Sequence, residues 1–333
     1  MIRLLQLRNA DTRRIALVAE PKLRPLANFT SIYDLANAAL SRNVKLSDLI
    51  EQSLSAESLD YDPIYAGKSE WKILPPIDHP NEPSRTLVTG TGLTHLGSAQ
   101  NRNAMHGAKE SELTDSMKMF KLGLEGGRPE PGSIGAAPEW FYKGNGTVLR
   151  THGEPLDVPS FAEDGGEEAE IAGIYLIDPA GQPRRLGFAA GNEFSDHLFE
   201  KKNYLNLAGS KLRTCSLGPE LAIDVSFDSI TGSAFVERGG QKIWSKEILT
   251  GNANMCHSLA NIEHHHFKFD GHRRPGDLHV HYFGAHSLSF GEGVILQDGD
   301  IMEVQFQNFG RPLRNTLRRN APSNRPLTVV ALA

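Results

Sequence analysis

The run Glu167-Glu168-Ala169-Glu170-Ile171-Ala172-Gly173-Ile174-Tyr175-Leu176 constrains the fold most tightly. It feeds acidic residues into an apolar, β-favouring stretch. On a strand, residues two apart share a face, so Glu168 and Glu170 point together while Ala169 and Ile171 point the other way. Two like charges side by side are costly unless a cation sits between them. A further acidic group follows in Gly191-Asn192-Glu193-Phe194-Ser195-Asp196. Three carboxylates converging on one pocket suit a hard divalent ion, Mg²⁺ or Mn²⁺ rather than Zn²⁺. Taken alone, the run fits an exposed edge strand with solvated glutamates as well.

A chain of 333 residues has room for one large or two smaller domains. The net charge of −5 disfavours nucleic acid or an anionic membrane as partner. Cys215 and Cys256 cannot build a disulfide framework, which fits a reducing compartment. No apolar run reaches the roughly 18–20 residues of a membrane span. The start, Met1 to Leu7, lacks a signal-peptide core, so a cytoplasmic location is expected. The 32 glycines and 19 prolines imply many turns and a β-rich body.

Residues 1–85 read as a small N-terminal α/β domain and residues 86–333 as the main body. Ile2 to Leu7 and Arg14 to Ala19 form two strands. Ser31 caps a helix carrying Ile32, Leu35, Ala36, Ala39 and Leu40 at helical spacing. A second short helix starts near Ser47. In the body, Thr86 to Gly90 and Pro138 to Gly144 read as strands, and Thr147 to Leu149 continues the sheet. Residues 99–137 are polar and partly helical, in the manner of a lid. Short apolar strands follow at 174–177, 186–190, 221–227, 233–237 and 241–246. A helix over 254–269 interrupts them, and an alternating strand closes the run to Phe306. The tail from Arg318 is polar and loosely held. Within the helix, His264-His265-His266 cannot converge on one ion, since neighbouring residues lie about 100° apart, and His266 faces inward.

The ordered set Phe141-Tyr142-Lys143, Glu168-Ala169-Glu170, Gly191-Asn192-Glu193-Phe194-Ser195, Lys211, Leu217-Gly218-Pro219, Pro275-Gly276-Asp277 and Gly299 to Val304 resembles the fumarylacetoacetate hydrolase superfamily. The likeness spans roughly residues 86–317. It implies an α+β fold, a mixed β-roll catalytic domain with a small N-terminal domain, and a homodimer. It implies one Mg²⁺ or Mn²⁺ held by Glu168, Glu170 and Glu193, the last replacing the family's usual aspartate. Asp196 is the substitute if Glu193 points away. Lys211 falls in the region of the active-site lysine, with Lys143 as second choice for the base.

The shortened segment from Leu212 to Pro219 resembles the branch linked to arabinose catabolism, which dehydrates 2-keto-3-deoxy sugar acids. A 2-keto acid chelates the metal, a lysine removes a C3 proton to give a stabilised enolate, and the C4 hydroxyl leaves as water. The alternatives are a hydrolase splitting a 2,4-diketo acid, a decarboxylase of an oxaloacetate-like acid, and a non-catalytic sugar-acid binder. The hydrolase branch uses a histidine to activate water. Ser98 stands where that histidine is expected, His95 where a tyrosine is, and His106 with Glu110 lies further on in the lid segment. Ser98, Arg213 and His281 are the expected substrate contacts, and His95 and His106 the further catalytic candidates.

Overall fold

The computed structural model describes residues 1–97, 114–321, 323 and 326–332. Strands and helices are numbered in chain order. Among these residues two mixed sheets form the body. The first runs β4 (Leu59–Asp60), β3 (Lys22–Pro25), β2 (Thr12–Ala19), β1 (Ile2–Asn9), β13 (Leu221–Ile223), β11 (Pro183–Asn192), β10 (Ala169–Ile177), β16 (Leu278–Tyr282), β6 (Thr86–Gly92) and β7 (Glu139–Asn145). Around it, β5 (Lys72–Ile73) pairs with β1, and β12 (Cys215–Leu217) joins β11 to β8 (Leu149–Arg150). The second sheet runs β15 (Gln241–Thr250), β14 (Ile230–Arg238), β17 (Ile301–Phe306), β18 (Leu313–Arg319) and β9 (Leu156–Val158).

Alternation in β10 divides the interior. Ile171 and Tyr175 face the second sheet and pack with Val236, Met302 and Leu317. Ala172 and Ile174 face the opposite way and share a core with Ile32 and Leu35 of α1 (Ile32–Arg42). Ser31 caps α1 as its sequence indicates, accepting from Asp34 N at 3.0 Å. Next come α2 (Leu46–Gln52) and α3 (Tyr61–Tyr65). The first 85 residues hold a core of their own around Leu5, Leu7, Val18 and Tyr61. They also extend the main sheet, because Leu4 of β1 pairs with Leu221 of β13.

The later helices are α4 (Asp115–Gly126), α5 (His197–Lys202), α6 (Leu207–Lys211) and α7 (Leu259–Phe267). The helix expected over 254–269 starts only at Leu259, where Ser258 supplies the cap. The strand expected over 221–227 stops at Ile223, and Gly146–Val148 is a 3-10 turn before β8. Arg318 and Arg319, expected in the loose tail, belong to β18, whose Leu313, Asn315 and Leu317 are buried. No helix among the described residues is long and apolar enough to cross a membrane.

Candidate metal centre

The β10–β11 hairpin brings the acids together. Its strands are antiparallel, with Ala169 opposite Asn192 and Glu170 opposite Gly191. The start of β10 therefore lies beside the end of β11, and Glu193 N donates to Glu168 O at 2.9 Å. Glu170 and Glu193 have the parity that shares a face, as does Glu168. Glu168, Glu170 and Glu193 each offer an oxygen, and these oxygens lie within 4.8 Å of one another. All three side chains are buried.

Local backbone chemistry holds this end of the hairpin open. Asn192 Oδ1 accepts from Glu168 N at 3.1 Å and from Phe194 N at 3.2 Å. Phe194 has φ 39°, a left-handed conformation that a non-glycine residue adopts at a cost. The turn directs Phe194 O at Lys143 Nζ, 2.7 Å away. Ser195 Oγ donates to Glu193.

Lys143 reaches the acids from β7. The ladder steps from Val88–Gly144 to Thr89–Tyr142, so Lys143 is the extra residue of a bulge, a device that re-aims a side chain. Its ammonium is fully buried and lies 2.5 Å from Glu193 Oε1. Lys211 ends α6, also fully buried, and bridges Glu168 Oε1 at 2.5 Å and Glu193 Oε2. Its Nζ lies 4.7 Å from the Phe141 ring centroid, a cation–π contact.

The electrostatics are unbalanced. Burial, then the neighbouring Glu193 and Glu168, push the Glu170 carboxyl well above the usual range. Burial acts to raise Glu168 too, but Lys211 and His197 outweigh it and hold Glu168 well below. Burial lowers Lys143 against the pull of Glu193. A buried carboxylate pushed up by its fellows is relieved by a cation placed among them. The donor set, all carboxylate oxygen, fits Mg²⁺ or Mn²⁺.

The other expected residues have different surroundings. Asp196 does not stand in for Glu193: it accepts from Phe199 N at 3.0 Å as the cap of α5 and pairs with Arg213. The Arg213 fork is taken up by that carboxylate and by Asp164 O at 2.6 Å. His281 lies on the opposite face of the sheet, aligned with Gly173, and its ring nitrogens contact Thr89 and Thr91 hydroxyls, each at 2.7 Å. His281 is not brought to the carboxylates, whereas Arg213 lies near enough for the Glu193 charge to act on it. His95 is buried between Thr94 Oγ1 at 2.9 Å and Thr250 Oγ1 at 3.0 Å. Burial and then His286 lower its pKa to about 3, so it stays neutral. Ser98, His106 and Glu110 lie outside the described residues.

Sequence reasoning passed over His197, whose Nε2 lies 3.1 Å from Glu168 Oε1, and Glu167, which accepts from Ser289. An aspartate followed by an acidic first turn was the available signal that a helix begins at His197.

With this geometry in place, solved structures give a direct comparison. A 2-keto-3-deoxyarabinonate dehydratase matches with a TM-score of 0.71 and 19% identity, covering 96% of this chain and 99% of the other. The chain shares this enzyme's fold. A 2-keto-3-deoxy-D-arabinonate dehydratase complexed with magnesium and 2,5-dioxopentanoate matches at TM-score 0.70 and 18% identity, over 96% and 99% of the two chains. A 2-hydroxyhepta-2,4-diene-1,7-dioate isomerase from Mycobacterium marinum matches at 0.58 and 16%, over 96% and 99%. No protein-family model and no curated protein matches the chain. Two mixed sheets with a few helices, in the fold shared with that dehydratase, are consistent with the mixed architecture the resemblance implied.

Proposed function

We propose that the protein is a Mg²⁺- or Mn²⁺-dependent lyase of the fumarylacetoacetate hydrolase superfamily that removes water from a 2-keto-3-deoxy sugar acid. The observation that carries this reading is the buried triad Glu168, Glu170 and Glu193 with two lysine ammoniums against it. The solved dehydratase holding magnesium and a small 2-keto acid supports it.

Glu168, Glu170 and Glu193 are the residues to hold the cation. Bound there, the cation would draw electrons from the 2-keto group and acidify the C3 protons. Lys211 would take the C3 proton: it shares Glu168 and Glu193 with the cation site and would lose anionic partners with a cation bound there. Lys143 Nζ, pinned between Phe194 O and Glu193, is the second candidate for a proton transfer. The C4 hydroxyl would then leave as water with a proton donated by Lys143 or by the protonated Lys211, as the C3–C4 double bond forms.

The test is product identification. Purified protein with Mg²⁺ is offered 2-keto-3-deoxypentonates and 2,4-diketo acids, and products are read by mass spectrometry. Loss of water without chain cleavage is expected. Pyruvate with a shorter acid would make the protein a C–C hydrolase, and loss of CO₂ from an oxaloacetate-like acid a decarboxylase. Magnesium binding without turnover of any of these acids would favour a sugar-acid binder.

A further inference from the structure

One loop braces the acidic cluster from behind. Residues 284–290 leave the end of β16, and Gly284 N donates to Glu170 Oε2 at 2.7 Å. Gly284 has φ +97°, and a Cβ there would lie 2.1 Å from Thr94 Oγ1, so only glycine presents its N–H in this way. Five residues on, Ser289 N and Oγ donate to the two oxygens of Glu167, at 2.7 and 2.6 Å. Glu167 directly precedes Glu168, so this clamp fixes the backbone that carries a candidate ligand.

The next residue completes the brace. The Phe290 ring lies 5.1 Å from the His197 ring, centroid to centroid. On its other side His197 rests on Gly166, where a Cβ would come within 2.3 Å of Nδ1. The imidazole is buried and locked, and its Nε2 donates to Glu168 Oε1 at 3.1 Å. Lys211 contacts the same oxygen, so two donors fix the plane of the carboxylate. The loop thus reaches Glu170 directly, Glu168 through His197, and the backbone just before Glu168 through Glu167.

We propose that loop 284–290 and His197 form the outer shell of the metal centre: Gly284 N holds Glu170, and the positioning residues His197 and Ser289 hold Glu168 ready for a divalent cation, His197 at its carboxylate and Ser289, through Glu167, at its backbone. The inference rests on the metal-dependent reading above. Neither residue is a ligand. His197 removes rotational freedom from the Glu168 carboxylate and Ser289 fixes the backbone that carries it before the ion arrives, and loss of such outer partners generally weakens metal affinity about 10–100-fold.

The experiment is a Mn²⁺ titration of the substrate-free protein, followed by electron paramagnetic resonance. The variants are His197→Phe, His197→Gln and Ser289→Ala, with Glu170→Gln as the control for the centre itself. Wild type binds and Glu170→Gln does not. His197→Phe weakens binding about 10–100-fold, and His197→Gln, which restores a donor, recovers most of it. Ser289→Ala weakens binding several-fold and answers alone if His197→Phe does not fold. Wild-type affinity in both His197→Phe and Ser289→Ala, with Glu170→Gln still silent, would overturn the positioning role and leave the metal centre standing. Failure of the wild type to bind Mn²⁺ would remove the centre and this inference with it.

Discussion

Two buried polar clusters lie on opposite faces of one sheet and follow opposite rules. On one face, Glu168, Glu170 and Glu193 stand against Lys143 and Lys211, and burial and neighbours push their proton affinities apart. On the other, His266 Nε2 lies 2.9 Å from His279 Nδ1, Trp140 Nε1 donates to His266 Nδ1 at 3.2 Å, and His281 sits between two threonine hydroxyls. His272 lies near by, its ring tilted and its centroid 4.8 Å from that of His266. Burial holds His279 and His281 down to about 3, so the rings stay neutral. The first cluster crowds carboxylates that a cation could relieve. In the second, burial holds His266, His279 and His281 below the usual imidazole range, and their rings pack. Residue type therefore does not mark a site; unbalanced charge does.

The largest effect that sharpens this contrast is Glu170→Gln. Metal binding and turnover are lost, read by Mn²⁺ titration and product assay. The metal-free variant melts above the metal-free wild type at pH 8, because a buried carboxylate raised by its neighbours is no longer forced to ionise. A lower melting temperature would mean that Glu170 is a stabilising group and not a strained one.

Acidification comes next. The unfolded chain takes up protons on histidine below about pH 6.5, whereas His279 and His281 in the fold resist until about pH 3. Their contribution is complete above pH 6.5 and drains away as the pH falls toward 3. Each costs about 1.4 kcal/mol per pH unit in that window, measurable by urea unfolding at stepped pH. In the His279→Phe variant the slope should be shallower; an unchanged slope would show that the cluster does not carry it.

Thr91→Val is smaller. It leaves His281 Nε2 without its partner and destabilises the fold by about 1–3 kcal/mol, while Mn²⁺ affinity stays at the wild-type value. Loss of metal binding here would break the separation of the two faces. Trp140→Phe is the smallest, costing about 1 kcal/mol for one donor to His266, again with metal affinity intact.

What the chain disclosed on inspection follows the same division. The alternation in β10, the Ser31 cap and the inward His266 are local patterns, and each is found in the structure. The glutamate pair was legible because parity along a strand needs no tertiary information. The pairing of Leu4 with Leu221 was not, since nothing local encodes a partner so distant. Lys143 could be named from its motif, but the bulge that aims it depends on the register against β6. His197 and Ser289 escaped notice because each acts on an acid brought near only by folding. Arg213 and His281 looked available in sequence and are occupied in the fold, by Asp196 and by threonine hydroxyls.

The central claim is a divalent cation among the three glutamates, and anomalous diffraction from a crystal soaked in Mn²⁺ tests it most directly. The account predicts one strong peak within coordination distance of Glu168, Glu170 and Glu193, with Lys211 Nζ displaced from between the carboxylates. An empty triad at saturating Mn²⁺, with Lys211 still bridging Glu168 and Glu193, would contradict it.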